Sequence, residues 1–205
     1  MARIGIIGGS FDPIHYGHLL LAECGREQCA LDEVWFIPAN ISPLKGAGCR
    51  ASNTQRLEML TLAIASHPSF SIDEIEWQRG GVSYTYETLE ALTKQHPEHE
   101  FIFLMGADSL AEFSDWKKPQ RICELATLAV VSRPGNPKPD LNILSRYADA
   151  QYLQQVADNQ VTMPAMNLSS SEIRQRVASQ QSIRFRLPRA VEQYIAAQSL
   201  YQEDV

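Results

Sequence analysis

Short apolar runs recur along this chain, each cut off by glycine or proline and each followed by a stretch with helical spacing. Ala2 to Ile7 runs into Gly8-Gly9, Glu33 to Ile37 stops at Pro38, Glu100 to Met105 stops at Gly106, and Thr127 to Ser132 precedes the proline-rich Arg133 to Pro139. A strand with one wet face alternates apolar and polar residues, so strands that are apolar throughout belong to a parallel sheet with helices on both faces. Leu19 to Ala30, the segment marked by Leu57, Leu60 and Ile64, and Tyr86 to Lys94 supply intervening helices. A third strand is expected within Phe70 to Trp77, and a helix, a short strand near Val161 and two last helices complete the order. The expected architecture is α/β: a doubly wound, mainly parallel sheet in a single domain over residues 1–205, with a small helical C-terminal part from about residue 166. Ligands in such folds sit at the carboxyl ends of strands, so the motifs that matter are those that follow strands.

Composition narrows the partners. The net charge of -6 lacks the basic footprint that a non-specific nucleic-acid binder needs. Arg174, Arg176, Arg184, Arg186 and Arg189 nevertheless cluster near the C-terminus with Glu172 among them, either as a solvated helix face or as a local anion site. No run approaches the roughly 18 apolar residues of a membrane span. Met1 to Gly8, with its single Arg3, reads as a first strand rather than a signal peptide. A cytoplasmic protein with no membrane partner is expected. Cys24, Cys29, Cys49 and Cys123 show no C-x-x-C spacing, which fits buried or incidental thiols rather than a structural zinc site.

The first strand opens into Gly8-Gly9-Ser10-Phe11-Asp12-Pro13-Ile14-His15-Tyr16-Gly17-His18. This turn is not the dinucleotide fingerprint G-x-G-x-x-G, and no G-K-[ST] of a P-loop occurs in the chain. The ingredients of a phosphate site are present all the same: glycines that let the backbone approach an anion, and a helix N-terminus with N–H groups and a positive dipole end. His15 and His18, three apart at that helix start, can turn their rings the same way and donate to phosphate oxygens that gain charge as an anhydride breaks. Either one alone is better explained as a cap or a packed side chain, but two of them flanked by glycines at the end of a buried strand shift the balance to a phosphate site. A metal site would need a third ligand.

A second candidate anion site lies in Leu168-Ser169-Ser170-Ser171-Glu172-Ile173-Arg174, where a loop enters a helix with three hydroxyls and an arginine one turn on. Ser169 and Glu172 also spell an S-x-x-E capping box, so a plain helix start accounts for the same residues.

Gly8 to Pro13 with His15-x-x-His18 resembles the G-G-[ST]-F-D-P-x-H-x-G-H signature of the nucleotidyltransferase superfamily with the H-x-G-H motif. Leu168 to Arg174 resembles that superfamily's I-S-[ST]-T-x-I-R segment, with leucine and serine in place of the usual isoleucine and threonine. The resemblance implies a Rossmann-like fold and ATP bound by Gly8, Gly9, Ser10 and Phe11 at the turn. It further implies that Ser169, Ser170, Ser171 and Arg174 hold the β- and γ-phosphates, and that His15, His18, Lys45 and Arg174 are catalytic.

Other segments narrow the acceptor. Pro38 to Lys45 is similar to a proline-shaped loop of nicotinate-nucleotide adenylyltransferases, with Leu44 where those enzymes often have histidine. Ser83-Tyr84-Thr85-Tyr86-x-Thr88 resembles their S-Y-T-x-x-T stretch, and Gly106-Ala107-Asp108 with Phe113 and Trp116 resembles G-x-D and F-x-x-W. Lys117 stands where many members carry tyrosine, and Arg133-Pro134-Gly135 resembles the R-P-G after the fifth strand. This implies Gly106 and Asp108 as further ATP contacts, and Lys45, Thr85, Asp108, Trp116 and Arg133 as contacts to the nicotinate nucleotide. The implied reaction is adenylyl transfer from ATP to nicotinate mononucleotide, giving nicotinate adenine dinucleotide and pyrophosphate. Mg²⁺ would be carried mainly by the ATP phosphates. A homo-oligomer is compatible with the resemblance. The rivals are another adenylyl- or cytidylyltransferase of the superfamily, such as the pantetheine-phosphate enzyme, and a nucleotide sensor that has kept the fold without catalysis; a dehydrogenase is disfavoured by the missing fingerprint.

Overall fold

A computed structural model describes residues 1–43, 48–132 and 139–202. The strands are β1 (Arg3–Gly9), β2 (Glu33–Pro38), β3 (Phe70–Ile72), β4 (Glu100–Gly106), β5 (Thr127–Ser132) and β6 (Val161–Thr162). Between and after them run helices α1 (Tyr16–Gln28), α2 (Asn53–Ile64), α3 (Ile75–Arg79), α4 (Thr85–Gln95), α5 (Ala107–Ala111), α6 (Pro119–Leu125), α7 (Ala150–Asp158), α8 (Ser170–Ala178) and α9 (Arg189–Ala197). The six strands form one sheet in the order β3-β2-β1-β4-β5-β6, and every neighbouring pair is parallel. The expected mainly parallel, Rossmann-like sheet is thus parallel throughout. Chain order reverses between β1 and β4, which places the ligand crevice at the end of β1, where the glycine turn begins.

The burial of β4 shows why its sequence is apolar on both faces. Ile102 and Leu104 enter a core shared with Ala22 of α1, Leu60 of α2, Ile173 of α8 and Val191 of α9. Phe101, Phe103 and Met105 enter a second core with Leu89 of α4, Ile122 of α6 and Val156 of α7. Successive side chains point to opposite faces, and both faces are roofed by helices. Among the described residues no helix is long and apolar enough to cross a membrane, and all four cysteines are free thiols.

Two boundaries differ from the sequence expectation. Helix α1 starts at Tyr16 rather than Leu19, because His15 caps it and draws Tyr16 and Gly17 into the first turn. The third strand spans Phe70–Ile72 and yields to α3, since the Asp73 carboxylate accepts from the Ile75 N–H at 2.8 Å and turns the chain.

Helix α1 lies hard against β4. A Cβ on Gly25 would stand 2.8 Å from each terminal methyl of Leu104, well inside contact distance, so glycine sets this helix-to-sheet spacing. Gly25→Val is expected to destabilise the protein by about 1–3 kcal/mol through overpacking, as read by urea denaturation. Leu104→Ala should cost less in that background than in the parent, because it opens the space the valine needs; additive losses would show that the two sites do not touch.

Candidate active site

Strand β1 delivers the chain into a turn held in an unusual backbone shape. Phe11 adopts φ 46°, a left-handed conformation that costs a residue with a side chain about 1–3 kcal/mol. That conformation is compensated by burial: the Phe11 ring is 1% exposed and meets His18 edge-on at 5.1 Å and Phe36 at 5.7 Å. His15 is the N-cap of α1, with its Nδ1 accepting from the Gly17 N–H at 3.1 Å. His18 closes the box, its Nδ1 accepting from the His15 N–H at 3.3 Å, and the two rings stack at 3.8 Å. With both Nδ1 atoms accepting, each neutral ring carries its proton on Nε2. Capping and phosphate donation are therefore not rival readings, since they use different nitrogens of the same rings.

The second motif docks on the first. Ser169 caps α8 by accepting from the Glu172 N–H at 3.1 Å, while Ser170 Oγ donates to the Pro13 carbonyl at 2.9 Å. Only the serine half of the expected capping box forms, because the Glu172 carboxylate pairs with Arg186 at 2.9 Å. Arg174 donates to the Asp12 carbonyl at 2.6 Å and to Ser171 Oγ at 3.2 Å. Two helix N-termini, those of α1 and α8, thus converge on one turn, concentrating positive potential in a chain of net charge -6.

A cleft of about 650 Å³ opens from this turn and runs to Trp116. At its far end stands the start of α4, whose N-cap Tyr84 makes no side-chain cap bond, so the first N–H groups of Thr85 and Tyr86 have no intrahelical acceptor. Lys117 Nζ sits 4.0 Å over the Tyr84 ring and brings positive charge to the same end. The Trp116 indole is half-buried and held edge-on by Phe103 at 6.0 Å, with its Nε1 enclosed and without a hydrogen-bond partner.

Of the residues expected from sequence, Gly8, Gly9, Ser10, Phe11, His18, Ser170, Thr85 and Trp116 line this cleft. His15 is buried against the His18 ring, and Ser169, Ser171 and Arg174 flank Ser170 on α8. Gly106 caps α5 and Asp108 lies exposed in its first turn; neither lines the cleft, where Ser109 and Asp115 do. Leu44, Lys45 and Arg133 lie outside the described residues.

Two buried charges escaped the sequence reading. Arg56 of α2 is 0% exposed and donates to the Ser10 carbonyl and to Asn53 Oδ1, both at 2.7 Å, with its guanidinium 5.1 Å over Trp77. Glu76 lines the cleft and accepts from Thr88 Oγ1 at 2.6 Å. Burial pushes its carboxyl above the usual range, opposed by the hydroxyls of Ser83 and Thr88. Arg56 shares the face of α2 that buries Met59 and Leu60, and Glu76 falls where the sequence reading expected a third strand; a charged residue type gave no sign of burial at either place. Asp12 stood inside the glycine–histidine motif without an assigned part, and its carboxylate is 4% exposed.

Among the described residues, one group of three metal-ligating side chains has its atoms within 4.8 Å of one another: His96, Glu98 and His99, beside the start of β4 and away from the cleft.

Comparison with known proteins agrees with this architecture. The cytidylyltransferase-like family matches residues 6–176. A relative from Rhodopirellula baltica, named "Probable nicotinate-nucleotide adenylyltransferase", is 44% identical over 199 residues, covering 97% of this chain and 93% of the relative. Another of the same name, from Exiguobacterium sibiricum, is 41% identical and covers 97% of this chain and 98% of its own. The fold also matches the Plasmodium falciparum nicotinic acid mononucleotide adenylyltransferase complexed with NaAD, with a TM-score of 0.77, 20% identity and 98% of each chain covered. Sequence identity across nearly the whole chain, together with a glycine–histidine turn docked on a serine-opened helix, places this chain in the nicotinate-nucleotide adenylyltransferase family.

Proposed function

We propose that the cleft aligns ATP and nicotinate mononucleotide for in-line adenylyl transfer, yielding nicotinate adenine dinucleotide and pyrophosphate. The observation that carries this is a single continuous cleft with a phosphate-type turn at one end and an aromatic, N–H-rich end at the other. An oxygen of the acceptor 5′-phosphate forms the new bond to the α-phosphorus as the α–β anhydride breaks, and pyrophosphate leaves with the electron pair. A phosphate is already a competent nucleophile, so the protein positions and neutralises charge rather than supplying a covalent intermediate.

His18 Nε2–H donates to α-phosphoryl oxygens, with the His15 ring stacked behind it to fix its plane. Gly8, Gly9, Ser10 and the turn backbone cradle the triphosphate. Ser169, Ser170, Ser171 and Arg174 take the β- and γ-phosphates at the start of α8. Gly106 and Asp108, at the carboxyl end of β4, are where ribose hydroxyls would be met. Lys45 and Arg133 keep the phosphate and nucleotide contacts that the resemblance implies. The serine- and N–H-rich phosphate end offers no carboxylate cage among the described residues, which fits a Mg²⁺ carried by the phosphates and water; when bound it neutralises phosphate charge. Four free thiols support a reducing, cytoplasmic setting.

The choice of base lies at α4. Backbone N–H groups of Thr85 and Tyr86 can donate to a carboxylate but would face the NH₂ of an amide, and Lys117 adds charge of the right sign. Trp116 stacks on either pyridine and supplies affinity without choosing.

Four outcomes follow from these assignments. Across a panel of phosphate acceptors, pyrophosphate release should favour nicotinate mononucleotide over the nicotinamide form by at least about tenfold in kcat/KM, equivalent to about 1.4 kcal/mol. Thr85→Pro should erode that preference, because proline is tolerated at the first helical position yet removes both the N–H and the hydroxyl; equal use of both acceptors by the parent protein would overturn the nicotinate assignment. His18→Ala should lower kcat by about 100-fold with a much smaller change in ATP affinity. Gly17→Ala separates capping from catalysis: its Cβ would stand 2.9 Å from the His15 ring, so kcat should fall by about tenfold or more. Its melting temperature should hold, since alanine is the better helix former by about 1 kcal/mol.

A further inference from the structure

We propose that the Tyr201 hydroxyl is a positioning group for the ATP-phosphate site, acting through Asp12 on Arg174. The inference rests on the adenylyl-transfer reading given above. The Asp12 carboxylate accepts three hydrogen bonds: from Tyr201 Oη at 2.7 Å and the Ala51 N–H at 3.1 Å on Oδ1, and from the Arg50 N–H at 2.7 Å on Oδ2. Arg174 approaches the same residue from the other side. It donates to the Asp12 main-chain carbonyl at 2.6 Å and stands 4.0 Å from Oδ2, beyond hydrogen-bond length.

This arrangement sets up a competition. A carboxylate buried to this degree draws any nearby cation unless donors already satisfy it. With Tyr201 in place, Arg174 is held by a neutral carbonyl and by Ser171 Oγ, and its charge remains available to an incoming anion. Without the hydroxyl, Oδ1 keeps only the longer Ala51 contact, and the guanidinium is pulled onto the carboxylate. Arg174 would then be spent neutralising Asp12 instead of phosphate.

Two further observations favour a dedicated role. Tyr201 adopts φ 62°, a left-handed backbone that is unfavourable for a residue with a side chain, and this turn brings the ring in over Met59, whose Sδ lies 3.9 Å from the hydroxyl. Burial and the Asp12 charge push the phenol pKa far up, so the hydroxyl stays a proton donor throughout the working pH range. Tyr201 does not line the cleft and reaches the phosphate-site residues through its bond to Asp12.

The test is a double-mutant cycle read by calorimetric titration of ATP into the protein, which needs neither acceptor nor turnover. Tyr201→Phe keeps the ring against Met59, and thermal melting confirms that the variant is folded. Tyr201→Phe should weaken ATP binding about 5- to 10-fold, and raise the KM for ATP similarly while kcat falls less than about threefold. In an Arg174→Ala background the same change should alter ATP affinity by less than about twofold, because the group it steers is gone. Unchanged affinity in Tyr201→Phe, or an equal loss in both backgrounds, overturns the proposal and leaves Tyr201 a stabilising contact alone. Failure of the parent protein to form nicotinate adenine dinucleotide would instead overturn the functional reading, and is scored separately by product analysis.

Discussion

A carboxylate 4% exposed has to find its hydrogen bonds in the protein, and Asp12 finds them in segments that are far apart in sequence. Two come from the backbone just before α2, one from the chain beyond α9, while the same residue's carbonyl takes the arginine of α8. Each of these segments also packs on the face of the sheet that holds Phe11 and Ile14. The turn after β1 is therefore shaped less by its own glycines than by what must converge on it. Arg56 does the same from below, holding the Ser10 carbonyl with a guanidinium that has no access to water. A buried anion at Asp12 and a buried cation bonded to the carbonyl of Ser10, two residues earlier, grip the same turn.

This gives a physical reason for the histidines' dual use. A turn gripped so firmly can spend the Nδ1 atoms of both rings on backbone N–H groups, because the rings then have no freedom left to tumble. His18 lines the cleft from this held turn, and donors fixed in advance stabilise developing charge better than ones that must reorganise.

Much of this was legible in the sequence, for identifiable reasons. Strand order follows from apolar runs such as Phe101 to Met105, whose burial on both faces leaves one sheet type open. The glycine–histidine turn and the serine-opened helix are local patterns, and local patterns survive folding. What stayed hidden depends on distance. Nothing near Tyr201 in sequence points to Asp12, and nothing near Arg56 points to the Ser10 carbonyl that it holds. Helix α1 was begun three residues late because a histidine is an uncommon N-cap, the position being dominated by serine, threonine, aspartate and asparagine. Asp108 follows β4 as its sequence position implies, and it lies exposed in the first turn of α5.

The span of the Asp12 contacts bears on how the molecule comes into being. Its hydrogen bonds to Arg174 and Tyr201 join residues 162 and 189 positions apart, and β1 itself pairs with β4 across almost half the chain. Closing such long loops carries a conformational penalty that must be met before the contacts repay it, and folds dominated by distant pairings assemble slowly. The turn from Gly8 to Pro13 therefore takes its final shape only once the chain beyond α9 has reached it, since Tyr201 supplies one of the Asp12 bonds. A chain whose last turn has not docked would hold the glycines and both histidines yet lack the Tyr201 bond to Asp12, so the finished turn is itself a sign that residues 12 and 201 have met.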